Sequence, residues 1–590
     1  MLFRAASAAA LAATATASLS TYEPVRRSPA DFDWATLTPS WSLHFSPCYD
    51  EYECARLLVP VDWTGADAEH NNSTRTMAIA LTRLRADTTG SEEAAHGGTV
   101  IVNPGGPGDS GVVDMLVNGH YLRDLVATDA TRFDVLSFDP RGMAFSTPAM
   151  DCFAGSDAAG RALFAAETAG VDAASVSGDN RDEVLTPKRA LLNAYGSKCD
   201  AAGEDGYAVA RYVGTTSVAR DVLRVVDELE RLRAREETEA EVEERPRLQY
   251  FGTSYGTMLG NTFVSMFPGR VKRMVLDGNV VPEDYTAADW SGNMVDIGKV
   301  VDNFYNVCFA AQSACALYDA EVDTSPGSIR AKVDALAANL TAKPAIISST
   351  GAVPSILKGS SVRSLFLGPL YAPLGPTFPM LASTLAAAIA GNYTPLAIAL
   401  QIPAAGLCAD AASHPAKYTW QPEAGTVVRC GDGGDVRNTT NDEWRATLDA
   451  VQGSAPDWWV DFWMGAQLQC REWPARPHWR FAGPFGSPAA DPSGRSEDRP
   501  SAPVLFLGSR YDPATPLRNS ETAARKHKGA RVVVLNEHGH CATLSGPSAC
   551  VRDIVGRYMA TGEMPEEGTE CEPACKPFEE CPYLRMILPW

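Results

Sequence analysis

An α/β fold, with a mostly parallel sheet flanked by helices and a large, mainly helical insertion, is what this chain of 590 residues predicts. Three observations carry that expectation. Short apolar runs at 99–102, 133–138, 248–251, 502–508 and 531–536 read as strands buried on both faces, as parallel sheets require. These runs fall before Pro282 or after Arg499, whereas the chain between them changes to Ala-rich helical stretches at 328–340 and 378–391 with Pro/Gly/Trp-rich connections. Finally, the strand at 248–251 breaks into Gly252-Thr253-Ser254-Tyr255-Gly256, and 257–264 then reads as the start of a helix.

Taken in order, residues 1–17 hold one basic residue, an Ala-rich apolar run and a small-residue end at Ala15-Thr16-Ala17, the layout of a signal peptide. Residues 18–281 form the first part of the core and contain the sharp turn around Ser254. Residues 282–499 form a cap over the carboxyl edge of the sheet. The Ala/Gly/Ser/Asp/Pro-rich stretch 485–503 returns the chain to the core, and 500–590 completes it with a Cys-rich end. No later apolar run reaches the ~20 residues that span a bilayer. The final segment 583–590 is too short for a lipid-anchor signal.

G-x-S-x-G between a strand and a helix is a nucleophile elbow. Its turn is tight enough to need glycine on both sides, and it holds the serine hydroxyl out above a helix N-terminus that favours negative charge. A serine nucleophile needs a base and an orienting carboxylate, which follow it in the order Asp, His. Asp512 lies in Ser509-Arg510-Tyr511-Asp512-Pro513-Ala514-Thr515-Pro516, just past one strand, and His540 lies in Glu537-His538-Gly539-His540-Cys541, just past the next. Asp512 is therefore assigned as orienter and His540 as general base. His538 is the rival base, and Gly539 gives the chain freedom just before His540. Asp139 and Glu537 are the rival acids; Asp139 precedes the serine and is expected to pair with Arg141. The bland alternatives, a turn-capping aspartate and a satisfied loop histidine, would suffice for either residue alone but not for three in order.

Upstream, the strand at 99–102 opens into Asn103-Pro104-Gly105-Gly106-Pro107-Gly108-Asp109-Ser110-Gly111. Such a loop lets backbone N–H groups approach a tetrahedral intermediate, and the N–H groups of Gly106 and Tyr255 are the expected oxyanion donors. A phosphate loop is disfavoured because no Gly-Lys-Ser/Thr follows and the spacing is wrong for a dinucleotide fingerprint, and a plain structural turn is the bland alternative.

Asn103-Pro104-Gly105-Gly106-Pro107-Gly108, Asp139-Pro140-Arg141-Gly142, Gly252-Thr253-Ser254-Tyr255-Gly256-Thr257 and Gly539-His540 together resemble the secreted tripeptidyl aminopeptidase branch of the α/β-hydrolases, related to prolyl iminopeptidases. Cys470-Arg471-Glu472-Trp473-Pro474 and the Asp512-Pro513 to Thr515-Pro516 segment also fit, so the resemblance runs from about Cys48 to Cys550. It implies an α/β-hydrolase fold with a TAP-like C-terminal region and an exopeptidase that releases short peptides or residues from peptide N-termini. The family pattern also ends in Gly-His, which favours His540. Ala144 departs from it, standing where glycine is usual, as does the charged stretch 230–247, and 282–499 matches only loosely. An aminopeptidase cap presents carboxylates to a substrate's α-ammonium group; Asp410 and Glu472, each two residues after a cysteine, are the candidates. The cap tryptophans Trp420, Trp444, Trp458, Trp459, Trp463, Trp473 and Trp479 are expected to be mostly core.

Fourteen cysteines fit an oxidising, extracellular compartment. Cys48 with Cys54, Cys308 with Cys315, and Cys541 with Cys550 are the expected local pairs, and disulfides outweigh metal for Cys571, Cys575 and Cys581. Sequons at Asn71, Asn72, Asn339, Asn392 and Asn438 predict glycosylation of a secreted chain, with Pro395 weakening the Asn392 site. A net charge of -21 argues against nucleic acid and anionic membranes as partners. The expected chemistry is acyl transfer through a covalent intermediate on a peptide or small ester substrate, with no metal or organic cofactor. A carboxylic ester hydrolase using the same residues and a non-catalytic binding protein on the same fold are the alternatives.

Overall fold

In the computed structural model, residues 32–65, 75–87, 94–153, 181–202, 208–237, 242–347, 355–373, 377–400, 422–453 and 455–579 are described. Ten strands make one sheet, in the order β1-β2-β3-β5-β4-β6-β7-β10-β11-β12. The first part of the chain supplies β1 (Ser46–Cys48), β2 (Tyr52–Pro60), β3 (Thr76–Leu84), β4 (Ala95–Asn103), β5 (Thr131–Phe138), β6 (Leu248–Thr253) and β7 (Val271–Asp277). The last part adds β10 (Leu505–Tyr511), β11 (Arg531–His538) and β12 (Glu570–Cys571). β1, β2, β3 and β5 pair antiparallel, and every pair from β5 through β12 is parallel. The parallel centre explains the unbroken apolar runs, since β6 is buried at every position.

Alternate side chains enter two cores. Tyr250, Met274, Leu276 and Phe506 pack on one face with α3 (Thr215–Glu236) and α4 (Tyr255–Met266). Phe251, Val275, Leu505 and Leu507 pack on the other with α1 (Gly111–Val126) and α17 (Ala549–Thr561). Between them in the chain lies α2 (Arg181–Ala201). Helices on both faces of a parallel sheet are the consequence of right-handed crossovers.

The chain leaves the sheet after β7 and returns at β10. Between them come α5 (Pro282–Thr286), α6 (Ile297–Ala311), α7 (Pro326–Ala342), the hairpin β8 (Ala345–Ile347) and β9 (Ser355–Leu357), α8 (Gly359–Ser364), α9 (Leu367–Tyr371), α10 (Thr377–Ile389) and α11 (Thr394–Ala399). α12 (Pro422–Asp432), α13 (Asn441–Val451) and α14 (Asp457–Arg471) follow; after β10 the core adds α15 (Leu517–Ala524) and α16 (Ala542–Ser545). The insertion has its own core. Ile329, Val333, Leu336, Ala337 and Leu340 form one face of α7, and Phe304 packs edge-on against Phe366 and Phe378 at 5.5 and 5.1 Å. Trp444 and Trp459 are fully buried there, whereas Trp473 joins the sheet core; Trp420 lies outside the described residues. Leu185 and Leu192 of α2, from before the elbow, also enter this core.

Five disulfides join described residues: Cys48–Cys54, Cys152–Cys199, Cys308–Cys315, Cys430–Cys470 and Cys550–Cys571. The expected Cys541–Cys550 pair is not formed. Cys550 opens α17 and meets β12, while Cys541 is free and buried in the turn after β11. Asn339, Asn392 and Asn438 are exposed; Asn71, Asn72 and the segment 1–17 lie outside the described residues. Among the described residues, no helix is long and apolar enough to cross a membrane.

Candidate active site

Ser254 sits between β6 and α4 with φ 55° and ψ -125°, a conformation that a non-glycine residue holds only when its surroundings enforce it, at a cost of about 1–3 kcal/mol. Three bonds enforce it here. The Ser254 N–H donates to the Asp277 carbonyl at 2.9 Å, and the Ser254 carbonyl accepts from the Thr257 N–H at 2.9 Å and from the Thr257 hydroxyl at 2.5 Å.

Asp512 and His540 are joined. His540 Nδ1 lies 3.0 Å from both carboxylate oxygens of Asp512, and the two residues are 5% and 0% exposed, respectively. The carboxylate is saturated by its own loop: Oδ1 accepts from the N–H groups of Ala514 and Thr515 at 2.8 and 2.7 Å, and Oδ2 from the Cys541 N–H at 2.8 Å and the Thr515 hydroxyl at 2.9 Å. Such charge-assisted bonds hold one rotamer and keep Nδ1 as the nitrogen committed to the acid. His538 is turned elsewhere. Its ring packs on Tyr511 at 4.8 Å and its Nδ1 faces Glu537, 3.5 Å away.

Asp277 ties the serine to the histidine turn. While its carbonyl takes the Ser254 N–H, its carboxylate accepts from the Ala542 N–H at 2.7 Å, the Thr543 N–H at 2.8 Å and the Thr543 hydroxyl at 2.6 Å. Burial pushes this carboxyl above its ordinary range, against the pull of those donors. Cys541 fills the space between, its thiol donating to the Asp277 carbonyl at 3.5 Å, and burial raises the thiol well above its usual range. Possible ligand atoms of Asp512, His540 and Cys541 lie within 4.8 Å of one another. Both carboxylate oxygens and Nδ1 are already bonded to each other, however, and the thiol stays protonated, which suits a hydrogen-bonded pair better than a cation.

The glycine loop closes on the elbow at Gly105. Its φ is 105°, and a Cβ there would lie 2.7 Å from the Thr253 carbonyl and 2.9 Å from the Tyr255 nitrogen. Gly106 follows with φ 104°, so the two expected donors, Gly106 and Tyr255, belong to segments in direct contact through Gly105. The far side of the loop meets the cap. A Cβ on Gly108 would lie 2.6 Å from the Gly425 nitrogen in α12, and one on Gly425 would collide with the Pro107 carbonyl. The cap also reaches His540, whose N–H donates to the Tyr371 carbonyl at 2.7 Å while the Tyr371 ring stands edge-on to the imidazole at 4.9 Å.

The sequence placed other groups differently. Asp139 does not pair with Arg141. It accepts from the Ser110 hydroxyl (2.6 Å), the Val112 N–H (3.1 Å) and the Phe145 N–H (2.9 Å), bracing the start of α1, and burial pushes its carboxyl up to about 6. Arg141 instead forms a two-pronged pair with Asp221, at 2.7 and 2.6 Å, because helix α3 brings that acid beneath the sheet. Ala144 takes φ 41°, which explains why glycine would suit its place. Glu472 follows α14 and is held by Arg189, and no described contact joins it to Ser254 or His540; Asp410 lies outside the described residues. Thr515 and Gly105 were within quoted motifs but carried no signal of their roles, and Asp277 ends β7, a strand not singled out from the sequence. Tyr371 had none at all, because only the fold brings it to His540.

Residues 455–571 match the family model described as TAP-like protein. The chain is 26% identical to the serine protease Hip1 of Mycobacterium tuberculosis over 521 residues, covering 88% of this chain and 87% of that protein. It is 24% identical to the tripeptidyl aminopeptidase of Streptomyces lividans over 560 residues, covering 94% and 88%. It is 27% identical to carboxylesterase B of Mycobacterium tuberculosis over 529 residues, covering 88% and 86%. With a largely parallel sheet between helices and a strained serine elbow, the chain has the α/β-hydrolase fold of a serine hydrolase, and it is similar to TAP-like proteins, whose family model it matches over 455–571.

Proposed function

We propose that this protein is a secreted exopeptidase that releases short peptides or residues from peptide N-termini through an acyl-enzyme on Ser254. The observation that carries the reading is the bonded Asp512–His540 pair, tied through Asp277 to the strained Ser254. His540 takes the Ser254 proton as the hydroxyl attacks the carbonyl carbon, and Asp512 stabilises the imidazolium that forms. The N–H groups of Gly106 and Tyr255 receive the oxyanion, each worth about 3 kcal/mol of transition-state stabilisation. His540 then protonates the leaving amine, and water, deprotonated by His540, releases the acyl group from Ser254. The disulfides support an oxidising compartment.

Exopeptidase action is supported by the likeness to the tripeptidyl aminopeptidase, and hydrolysis of small carboxylic esters is the second reading, supported by the likeness to carboxylesterase B. One peptide arylamide, with and without an N-acetyl cap, separates the two. An exopeptidase loses most activity on the capped form, because its ammonium-binding groups are left unpaired; equal rates would remove the exopeptidase reading. Fluorophosphonate labelling of the wild type but not of Ser254→Ala tests the nucleophile that both readings share.

A further inference from the structure

Three arginines meet at α12, one from the helix itself and two from the chain after α14, and the latter two are occupied by carbonyls at the helix's C-terminal end. Arg476 donates to the carbonyls of Cys430 (3.0 Å) and Gly433 (2.5 Å), and Arg480 donates to that of Asp432 (2.6 Å). Arg429 is different. Its guanidinium donates to the Gln469 side chain at 3.2 Å and lies 5.7 Å from the Trp290 ring centroid, and no carboxylate of the described residues pairs with it. Its Nε is buried without a partner among the described residues, although part of the side chain remains open to solvent. Burial lowers the Arg429 pKa, with only the Tyr285 and Tyr195 hydroxyls acting to raise it.

Arg429 is not alone in lacking partners. Trp290 is 4% exposed, and its ring nitrogen has no hydrogen-bond partner among the described residues. The ring nitrogen of Trp463, whose ring is 6.5 Å from that of Trp290, is also unpartnered, as is Oε1 of Gln467, which donates through Nε2 to the Ala288 carbonyl. Three unmet donors, one of them cationic, call for a ligand rich in acceptors, since each buried unmet donor is otherwise costly.

The position is close to the chemistry. Gly425 and Arg429 are one turn apart on one face of α12, about 6 Å along the helix. Gly425 touches the Pro107–Gly108 end of the glycine loop, and Tyr285, which faces Arg429, packs against Tyr255 at 5.9 Å. We infer that Arg429, with the ring nitrogens of Trp290 and Trp463, forms an anion subsite that takes a carboxylate carried by the substrate. A carboxylate offers two planar acceptors that match the guanidinium fork. The carboxylate belongs either to an acidic side chain or to a free peptide C-terminus. The inference rests on Ser254 being the nucleophile, because that is what makes the edge around the glycine loop the place where substrate lies.

Calorimetric titration of the full chain carrying Ser254→Ala, which cannot turn peptides over, tests it in two arms. Ala-Ala-Glu against Ala-Ala-Gln, both as C-terminal amides, tests the side chain; Ala-Ala-Ala acid against its amide tests the terminus. In one arm the acid should bind ~10- to 100-fold more tightly, as expected for hydrogen bonds to a charged group. Adding Arg429→Gln should erase that difference while leaving the neutral peptide's affinity unchanged, and Arg429→Lys should keep part of it. Equal affinities in both arms, no binding by either acid, or an equal loss for acid and neutral peptides in Arg429→Gln would overturn the subsite. Failure of the wild type to label with a fluorophosphonate, with the acid preference intact, would instead remove the nucleophile and leave a carboxylate-binding site.

Discussion

Ser254 and Asp277 are joined backbone to backbone, the serine N–H donating to the aspartate carbonyl at 2.9 Å, while the Asp277 side chain grips the turn directly after His540. A single residue at the end of β7 thus sets the spacing between the elbow and the histidine loop. The neighbouring strands β6 and β10 carry Ser254 and Asp512 at their carboxyl ends, so three loops meet at one edge.

Asp277→Asn should therefore damage both stability and turnover. The amide would turn an N–H toward a site that now receives donors from Ala542 and Thr543. A loss of about 1–3 kcal/mol in denaturant unfolding is expected for the unmet groups. kcat should fall by more than KM changes, because the displaced group is the histidine turn. A destabilised variant with wild-type kcat would confine Asp277 to folding.

The two histidines should separate in kinetics. His540→Ala is expected to lower kcat by several orders of magnitude, as removal of a general base does. His538→Ala should act on stability, since its ring packs on Tyr511 and its Nδ1 faces Glu537. If His538→Ala produced the larger loss in kcat, the base would be misassigned.

Asp432 should give the fold a pH-dependent component. It accepts from the Thr215 N–H at 2.9 Å and the Thr215 hydroxyl at 2.5 Å, with Tyr285 at 3.4 Å, and burial raises its carboxyl from 3.8 to about 6. Because the folded-state pKa is the higher one, its contribution to stability is fully present below the unfolded-state pKa and is lost as pH rises to about 6. The change amounts to about 3 kcal/mol at 1.36 kcal/mol per pKa unit. Asp432→Asn should remove this component, so its stability relative to the wild type should improve between roughly pH 4 and pH 6. Parallel unfolding curves for the two proteins across that range would refute the assignment.

Cys541 should be invisible to thiol reagents in the native protein. Its side chain is fully buried between Asp277 and Asp512, and its thiol is held protonated. A disulfide-exchange reagent should modify it only as the protein unfolds, with mass mapping to the peptide that contains His540. Rapid modification of the folded protein at this residue would show that the turn opens.

How much was legible in the sequence differs by element. The elbow at Ser254 was readable because a strained turn needs particular residues at adjacent positions, and that requirement is local. Asp512 and His540 were readable because loops after neighbouring parallel strands meet at one sheet edge. The buried strands of the sheet and the helical insertion followed from runs and periodicity for the same reason. The cysteine pairing was legible only where the loop was short and isolated, as at Cys48–Cys54 and Cys308–Cys315. For Cys541 proximity in sequence misled, because α17 carries Cys550 away to β12.

What the tertiary structure alone decided is which distant groups share a space. Arg141 found Asp221 rather than Asp139 because a helix 80 residues later passes beneath it. Tyr371 covers His540, Gly425 presses on the glycine loop and Arg429 is left without an acid, all through the docking of the cap. Sequence by itself determined the strained turn and the order of the catalytic candidates, since backbone strain and strand ends are short-range matters. The surroundings of that turn depend on packing between segments hundreds of residues apart, where no local preference specifies the partner.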